Sequence, residues 1–312
     1  MKKITLVLVC ILLISSAACG DSPAADVTPP SSISTVSPDT VIKDTEPVET
    51  THETTANTAT PLPQNTASID EIVLVDESDV KITAKSLEDD GLFGPEIKLL
   101  IENNSAQDLT VQCRNTAVNG YMVDSMFSVD VAAGKKANDT ISFLRSKLDL
   151  SGIESIADIE LSFHIFTMED WETYLDTPQI QIKTSLADAY EYSFDDSGDV
   201  AYDENGIRVI VKGLNTSDSI MGPGIIVYIE NNSSNDITVQ TRNVSINGFM
   251  VDGFFSSDVL IGKHAVDTIT FLTSDLEENE ISKINSVELS FHIFDMDGWN
   301  TIADSDVISL TF

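Results

Sequence analysis

Basic side chains are scarce in this sequence of 312 residues, which has 17 lysines and arginines against 51 aspartates and glutamates and a formal net charge of −34. Nucleic-acid binding requires cations that neutralise phosphates, so this balance argues against DNA or RNA as a partner. It also argues against the docking of a folded basic face on an anionic membrane. The length corresponds to about two domains of ordinary size.

Cysteine and catalytic motifs are scarce as well. There are three cysteines, and Cys113 is the only one beyond the first 19 residues, so processing of the N-terminus leaves no internal disulfide. The sequence has no G-x-S-x-G, H-E-x-x-H, P-loop or dinucleotide-binding fingerprint. It therefore indicates no particular enzymatic activity.

The N-terminus has the pattern of an export signal. In residues 1–18, two lysines precede the apolar run Ile4–Ile14 and a group of small residues, which predicts a signal peptide. Cys19 directly follows two alanines and resembles the lipidated cysteine of bacterial lipoproteins, although Ser16 replaces the usual aliphatic residue and leaves plain secretion as the alternative. We expect an extracytoplasmic protein that faces outward and is anchored to the bacterial membrane at Cys19.

A polar segment follows. Residues 19–69 hold seven of the ten prolines and are rich in serine and threonine, without apolar periodicity. Such a segment cannot bury a face, so it is predicted to be a disordered linker that holds the folded part away from the membrane.

The remaining sequence consists of two similar copies, repeat 1 (residues 70–194) and repeat 2 (residues 195–312). Three motifs return after 128 residues: E-N-N-S at 102–105 and 230–233, N-G-[YF]-M-V-D at 119–124 and 247–252, and E-L-S-F-H-I-F at 160–166 and 288–294. Each repeat has a net charge of about −15. The charge is therefore a property of both repeats and not of one acidic tail.

Apolar residues alternate with polar ones, as in Ile97, Leu99 and Ile101, which predicts half-buried strands. Asn119-Gly120 predicts a tight hairpin. We expect an all-β fold of two tandem immunoglobulin-like antiparallel β-sandwich domains, each with seven or eight strands. Residues 148–157 are predicted to form a helical turn, and residues 168–175 an irregular crossover before a last strand.

The three repeated motifs, behind a lipoprotein-type signal and a Thr-rich linker, resemble uncharacterised surface lipoproteins of Firmicutes. The resemblance covers residues 70–312. It implies immunoglobulin-like domains and a surface location, and it implies no catalytic residues.

Aromatic and methionine side chains are the main candidates for a binding surface. After each Asn-Gly pair they either form an adaptable contact surface or turn into the core, and they are Tyr121, Met122, Met126 and Phe127 in repeat 1 and Phe249, Met250, Phe254 and Phe255 in repeat 2. Trp171 and Trp299 occupy matched positions as either a binding face or a core plug.

Other groups favour ordinary structural roles. His164 and His292 are interpreted as sheet histidines, and Cys113 as a small buried residue. No cofactor is expected, although acidic residues around 195–204 and 295–306 leave calcium as an alternative to a solvated surface.

These features lead to three functional hypotheses. The first is a non-catalytic surface lipoprotein that binds or adheres to an unknown extracellular protein or glycan. The second is a structural spacer or an accessory subunit of an envelope complex. The third is an envelope hydrolase, for which Asp124 and Asp252 are the best-placed carboxylates.

Overall fold

The computed structural model describes residues 66–216 and 221–312. About 56% of these residues lie in strands and 6% in helices, which confirms the prediction of an all-β chain with antiparallel sheets. Within this described part, no helix has the length and apolar character needed to cross a membrane. The signal peptide, Cys19 and the linker up to residue 65 lie outside the described residues.

The same order of elements occurs in both repeats. Repeat 1 contains β1 (Ile72–Glu77), β2 (Val80–Glu88), β3 (Glu96–Asn103), β4 (Leu109–Val118), β5 (Tyr121–Met122), β6 (Ser125–Met126), β7 (Ser128–Val131), β8 (Lys136–Phe143), α1 (Arg145–Leu150), β9 (Asp158–Thr167), β10 (Thr173–Asp176) and β11 (Ile180–Lys183). A 3₁₀ helix at Ala187–Ala189 follows. Repeat 2 contains β12 (Asp199–Glu204), β13 (Ile207–Asn215), β14 (Gly224–Asn231), β15 (Ile237–Ile246), β16 (Phe249–Met250), β17 (Gly253–Phe254), β18 (Ser256–Val259), β19 (Lys263–Phe271), α2 (Thr273–Glu278), β20 (Ser286–Asp295), β21 (Thr301–Asp304) and β22 (Ile308–Thr311).

The strands form three sheets. One sheet has the order β1-β2-β3-β8-β6, and another is built on β16-β15-β20-β21. The third has eleven strands and passes through both repeats, because β5 pairs in parallel with β19. The described residues belong to one compact unit. The repeats are therefore joined by backbone hydrogen bonds as well as by the chain.

Alternation explains the sandwich cores. Ile97, Leu99 and Ile101 of β3 are at most 1% exposed, while their polar neighbours face outward. The motif of β9 buries Leu161 and Phe163 in the same way. Successive side chains of a strand point to opposite faces, so each strand covers the core with one side.

The buried asparagine of the E-N-N-S motif closes the turn after β3. The Asn103 amide nitrogen donates to the carbonyl oxygens of Gln107 and Val131, both at 2.8 Å. Its side-chain oxygen accepts from the backbone N–H of Ser105 at 3.0 Å and from the Ser105 hydroxyl at 2.7 Å. Asn231 makes the same four bonds in repeat 2. The repeated motif therefore satisfies backbone carbonyl groups of the turn after β3 and of the end of β7.

The predicted Asn-Gly hairpin is confirmed. Val118 pairs with Tyr121 across Asn119 and Gly120, which have φ values of 50° and 82°. Asn119 also has a second role, because its side-chain oxygen accepts from the N–H groups of Ala157 (2.8 Å) and Asp158 (3.1 Å). The turn residue thus holds the segment that enters β9.

Three finer expectations require correction. Each repeat has eleven strands among the described residues, partly because the segment after the Asn-Gly turn of repeat 1 is divided into three short strands that pair in turn with β4, β8 and β4. Helix α1 begins at Arg145, three residues before the start of the predicted turn at 148–157. Leu148, which marked the start of the prediction, is the buried residue in the middle of this helix. The Trp171 segment is a tight turn between the paired strands β9 and β10 and not a crossover.

Candidate functional site

The clearest candidate site is an exposed tryptophan held on a rigid turn, called here the Trp turn (residues 167–172 in repeat 1 and 295–300 in repeat 2). The indole of Trp171 stacks on Phe166, with ring centroids 5.4 Å apart and planes 19° from parallel. Phe166 is 5% exposed, whereas Trp171 is 75% exposed. Phe166 therefore forms a buried base, and most of the indole remains open to solvent.

Repeat 2 has the same geometry. Trp299 stacks on Phe294 at 5.5 Å and 16° and is also 75% exposed. The structure thus places both predicted tryptophans on the surface, and a core plug does not describe either of them.

Both tryptophans have positive φ, 60° for Trp171 and 58° for Trp299. The left-handed region costs a bulky L-residue about 1–2 kcal/mol, so surrounding bonds must hold it. The Trp171 N–H donates to the carbonyl oxygen of Thr167 at 3.1 Å, and the Trp299 N–H donates to that of Asp295 at the same distance. The two repeats therefore retain the same strained backbone with different side chains around it.

Carboxylates stabilise each Trp turn. The hydroxyl of Thr167 donates to Asp170, and this hydrogen bond lowers the pKa of the Asp170 carboxyl. In repeat 2 the Asp295 carboxylate accepts from the backbone N–H of Gly298, which lowers its pKa, and from that of Asn300 at 3.1 Å. Each turn consequently presents an indole beside fixed negative charge.

A histidine–aspartate pair lies next to each stacked pair. Nδ1 of His164 is 2.5 Å from Oδ1 of Asp176 on the neighbouring strand, and the His164 ring centroid is 5.2 Å from that of Phe166. His292 and Asp304 repeat this arrangement at 2.6 Å. The sequence interpretation missed Phe166 and Asp176 as parts of this surface. The available signal was the spacing of His164 and Phe166, two residues apart on one strand and so on one face.

The segments after the Asn-Gly pairs differ between the repeats, although their sequences match. Tyr121 is 5% exposed and Met122 is half-buried, so for this pair the alternative of packing against the core holds and the open contact surface does not. They are covered because Tyr121 pairs with His264 and Met122 with Ala265 of β19.

Of the remaining side chains in this group, some are exposed to solvent and others point into the core. Met126, Phe249, Met250 and Phe254 are exposed by 47%, 50%, 68% and 51%. Phe127 and Phe255 instead pack edge-on against core phenylalanines of β9 and β20.

The contact of β5, Phe194 and β19 is called the joint. Phe194 stacks on His264 with centroids 3.7 Å apart, and the hydroxyl of Tyr228 lies 2.6 Å from Nδ1 of that histidine. Beside it, Nζ of Lys263 is 2.5 Å from Oε1 of Glu160. The joint therefore combines aromatic stacking, a sheet ladder and an ion pair between the two repeats.

We expect acid to weaken the joint through His264. Burial lowers the pKa of this ring below 6.5, with Lys263 acting in the same direction and Glu230 opposing. The unfolded chain then binds more protons than the folded one, so stability is lost as pH falls below about 6.5. Thermal unfolding between pH 7.5 and 5.5 (roughly one unit on either side of the ordinary histidine pKa) should show a steeper loss for wild type than for His264→Gln. Equal slopes would contradict this assignment.

A polar cleft of about 270 Å³ lies beside the joint. There Nζ of Lys147 is 2.8 Å from Oδ1 of Asp267 and 3.3 Å from Oδ2 of Asp124. The ammonium group pairs with both carboxylates and offsets one of their two negative charges. The cleft also contains Cys113, whose thiol pKa is raised by burial, so the thiol is a poor nucleophile at neutral pH. Asp252, the counterpart of Asp124, is exposed.

Two carboxylates at the start of the first acidic segment have basic partners within the protein. Asp195 pairs with Lys212 at 2.7 Å, and Asp196 pairs with Arg208 at 2.5 Å. Among residues 66–216 and 221–312, no three carboxylate, imidazole or thiol side chains are grouped so that they could hold a metal ion.

Comparison of the sequence with protein-family models and with curated proteins finds no match. Solved structures show weak similarity. The YadV chaperone has 10% identity and a TM-score of 0.23, with coverage of 74% of this chain and 100% of that one. The CupB2 chaperone of Pseudomonas aeruginosa has 10% identity and a TM-score of 0.19, with 70% and 92% coverage. The exo-beta-D-glucosaminidase CsxA has 12% identity and a TM-score of 0.23, with 72% and 26% coverage. Similarities at these TM-scores support no statement about function.

Proposed function

We propose that this chain is a non-catalytic binding protein of the outer cell surface, in which two immunoglobulin-like domains each present one Trp turn to a protein or glycan. The observation that carries the proposal is the repeated, 75% exposed tryptophan on a left-handed backbone. Strain of this kind persists where the surrounding structure enforces it, and it is concentrated at functional surfaces.

The architecture of the Trp turn suits recognition. A tryptophan whose orientation is already held by Phe166 or Phe294 loses little side-chain freedom when a ligand covers it. Indole rings supply large, rigid contact areas and are enriched among residues that dominate binding energy. Two matched sites on one chain also permit simultaneous engagement of a repetitive ligand, which raises avidity.

Charge limits the class of ligand. Glu169, Asp170 and Glu172 surround Trp171, and Asp297 precedes Trp299 by two residues. Each repeat is also strongly negative. Polyanionic ligands are therefore repelled, and we expect the ligand to be a neutral glycan or a protein surface that is neutral or basic.

Intrinsic fluorescence tests this proposal directly, because Trp171 and Trp299 are the only two tryptophans of the sequence. In a protein that consists of residues 20–312, we expect acrylamide to quench the fluorescence of both indoles strongly. Binding of neutral oligosaccharides, or of basic and neutral surface proteins, should protect them. Trp171→Phe and Trp299→Phe separate the two signals.

Affinity measurements on alanine variants give the size of the effect. Truncation of an anchoring tryptophan costs about 2 kcal/mol, so Trp171→Ala or Trp299→Ala should weaken single-site binding about thirty-fold. Met168→Ala is the matched control, since Met168 is an exposed apolar residue of the same turn that does not stack on Phe166. A double tryptophan variant that binds as wild type would refute the site. Absence of any ligand that protects the indoles would favour the spacer hypothesis.

The lipid anchor is a separate part of the proposal and rests on the sequence around Cys19. Cys19→Ser should abolish labelling by a fatty-acid analogue and release the chain from the cell membrane. Unchanged membrane retention of this variant would contradict the anchor without affecting the Trp turns.

A further inference from the structure

The joint uses two different surfaces, and each repeat has both of them. Repeat 1 contributes its tip hairpin (residues 117–122), and repeat 2 contributes the edge of β19. The contact is therefore heterologous: the surface that is used on one repeat differs from the surface used on the other. A heterologous contact leaves one unused copy of each surface at the two ends of the assembly.

The unused hairpin belongs to repeat 2. Residues 245–250 form the same hairpin, with Ile246 paired with Phe249. Phe249 and Met250 correspond to Tyr121 and Met122, yet they are 50% and 68% exposed. The apolar tip of this hairpin is therefore exposed, and within the described residues no strand of another repeat pairs with it.

The unused edge belongs to repeat 1. Strand β8 pairs with β3 through residues 136–142 and with β6 only at Ser142 and Phe143. In the described part of the chain, nothing pairs with the other edge of β8 at Lys136 and Ala137, the counterparts of His264 and Ala265. An open edge of this kind carries unpaired N–H and C=O groups that can accept another strand.

The charges that flank the joint recur on the two unused surfaces. Lys263 and Glu160 form the ion pair of the joint, and their counterparts are Lys135 and Glu288. Both counterparts are exposed. Two features differ. Lys136 and Leu100 stand in the places of His264 and Tyr228, and Phe194 has no matched residue within 195–312, so the aromatic stack of the joint is missing. Asp275 and Asp139 also replace Lys147 and Asp267. The second contact consequently lacks the bridge that Lys147 makes, and it must be weaker than the joint.

We propose that these two surfaces bind each other between molecules, so that the hairpin at 245–250 of one chain adds to the β8 edge of a second copy of this chain. The contact repeats the sheet ladder and the ion pair of the joint, with Phe249 and Met250 beside Lys136 and Ala137 and with Glu288 facing Lys135. Because each molecule uses one hairpin and one edge, the association extends head to tail and does not stop at a dimer.

Sedimentation equilibrium of residues 20–312, which do not include Cys19, tests the proposal. Physiological ionic strength screens the net negative charge beyond about 8 Å. The average mass should rise above that of a monomer with concentration and pass that of a dimer. Phe249→Asp or Met250→Lys should return the chain to a monomer. Val307→Lys is the matched control, since Val307 is 58% exposed in repeat 2 outside the hairpin.

A charge exchange identifies the partner surface. Lys135→Glu and Glu288→Lys should each weaken self-association, because each places like charges at the contact. A mixture of the two variants should associate again, since every contact then joins a lysine with a glutamate.

Three results would overturn the proposal: a wild-type mass that stays monomeric at all concentrations, an association that ends at a dimer, or a mixture of the charge variants that remains monomeric. Circular dichroism of each variant checks that it is folded. These outcomes do not depend on ligand binding by the Trp turns.

Discussion

Replacing Asn103 by alanine is expected to lower the free energy of unfolding by about 3–5 kcal/mol. The side chain is 1% exposed and makes four hydrogen bonds, one of which satisfies the buried carbonyl oxygen of Val131. Alanine removes these partners, and water cannot replace them without opening the core. A buried polar group that loses its partner costs about 1–3 kcal/mol. Urea denaturation of residues 20–312 measures the loss.

The chain supplies its own controls for this experiment. Asn104→Ala changes the adjacent residue of the same motif, which is exposed, and should alter stability by less than about 0.5 kcal/mol. Asn231→Ala removes the identical network from repeat 2 and should match the loss at Asn103. A loss below about 1 kcal/mol at either buried asparagine would show that these networks do not hold the turns.

Tyr121→Asp is expected to separate the two repeats. The Tyr121 ring lies 5.1 Å from Phe194 and 5.9 Å from His264, and the residue is 5% exposed. Aspartate would place an unpaired carboxylate in this aromatic contact, at a cost of about 3 kcal/mol or more. Detachment of β5 from β19 would expose this carboxylate to water and leave both cores intact.

Two measurements report this separation. Denaturation should change from one coupled transition to two, and small-angle scattering should show a larger radius of gyration. Phe249→Asp is the matched control, because it makes the same kind of change at the corresponding position of repeat 2. Phe249 is 50% exposed, so stability should change by less than about 0.5 kcal/mol. Equal effects of the two substitutions would mean that the joint does not stabilise the protein.

Short-range pattern was sufficient for much of the architecture. The alternation in β3 and β9 predicts strands because a pleated strand places neighbouring side chains on opposite faces. Asn119-Gly120 predicts its hairpin because both residues tolerate positive φ. The number of strands was less accessible, since residues 121–131 change pairing partner between β4 and β8, and these partners are distant in sequence.

The candidate site was accessible only in part. Trp171 and Trp299 could be selected from their matched positions, but the choice between a core plug and an open face depended on stacking over Phe166 and Phe294. His164 and Asp176 lie 12 residues apart in sequence and become neighbours through strand pairing. Such cross-strand pairs depend on register, which a single sequence specifies weakly.

The sequence by itself determined that this protein is all-β, strongly acidic, poor in cysteine and built from two matched repeats, because composition and period-two alternation are local properties. Tertiary structure decided which matched residues are covered. Tyr121 and Phe249 follow the same Asn-Gly turn, yet β19 covers one and leaves the other half exposed. The physical reason is that burial belongs to a contact between distant segments, and a heterologous contact gives identical local sequences different surroundings.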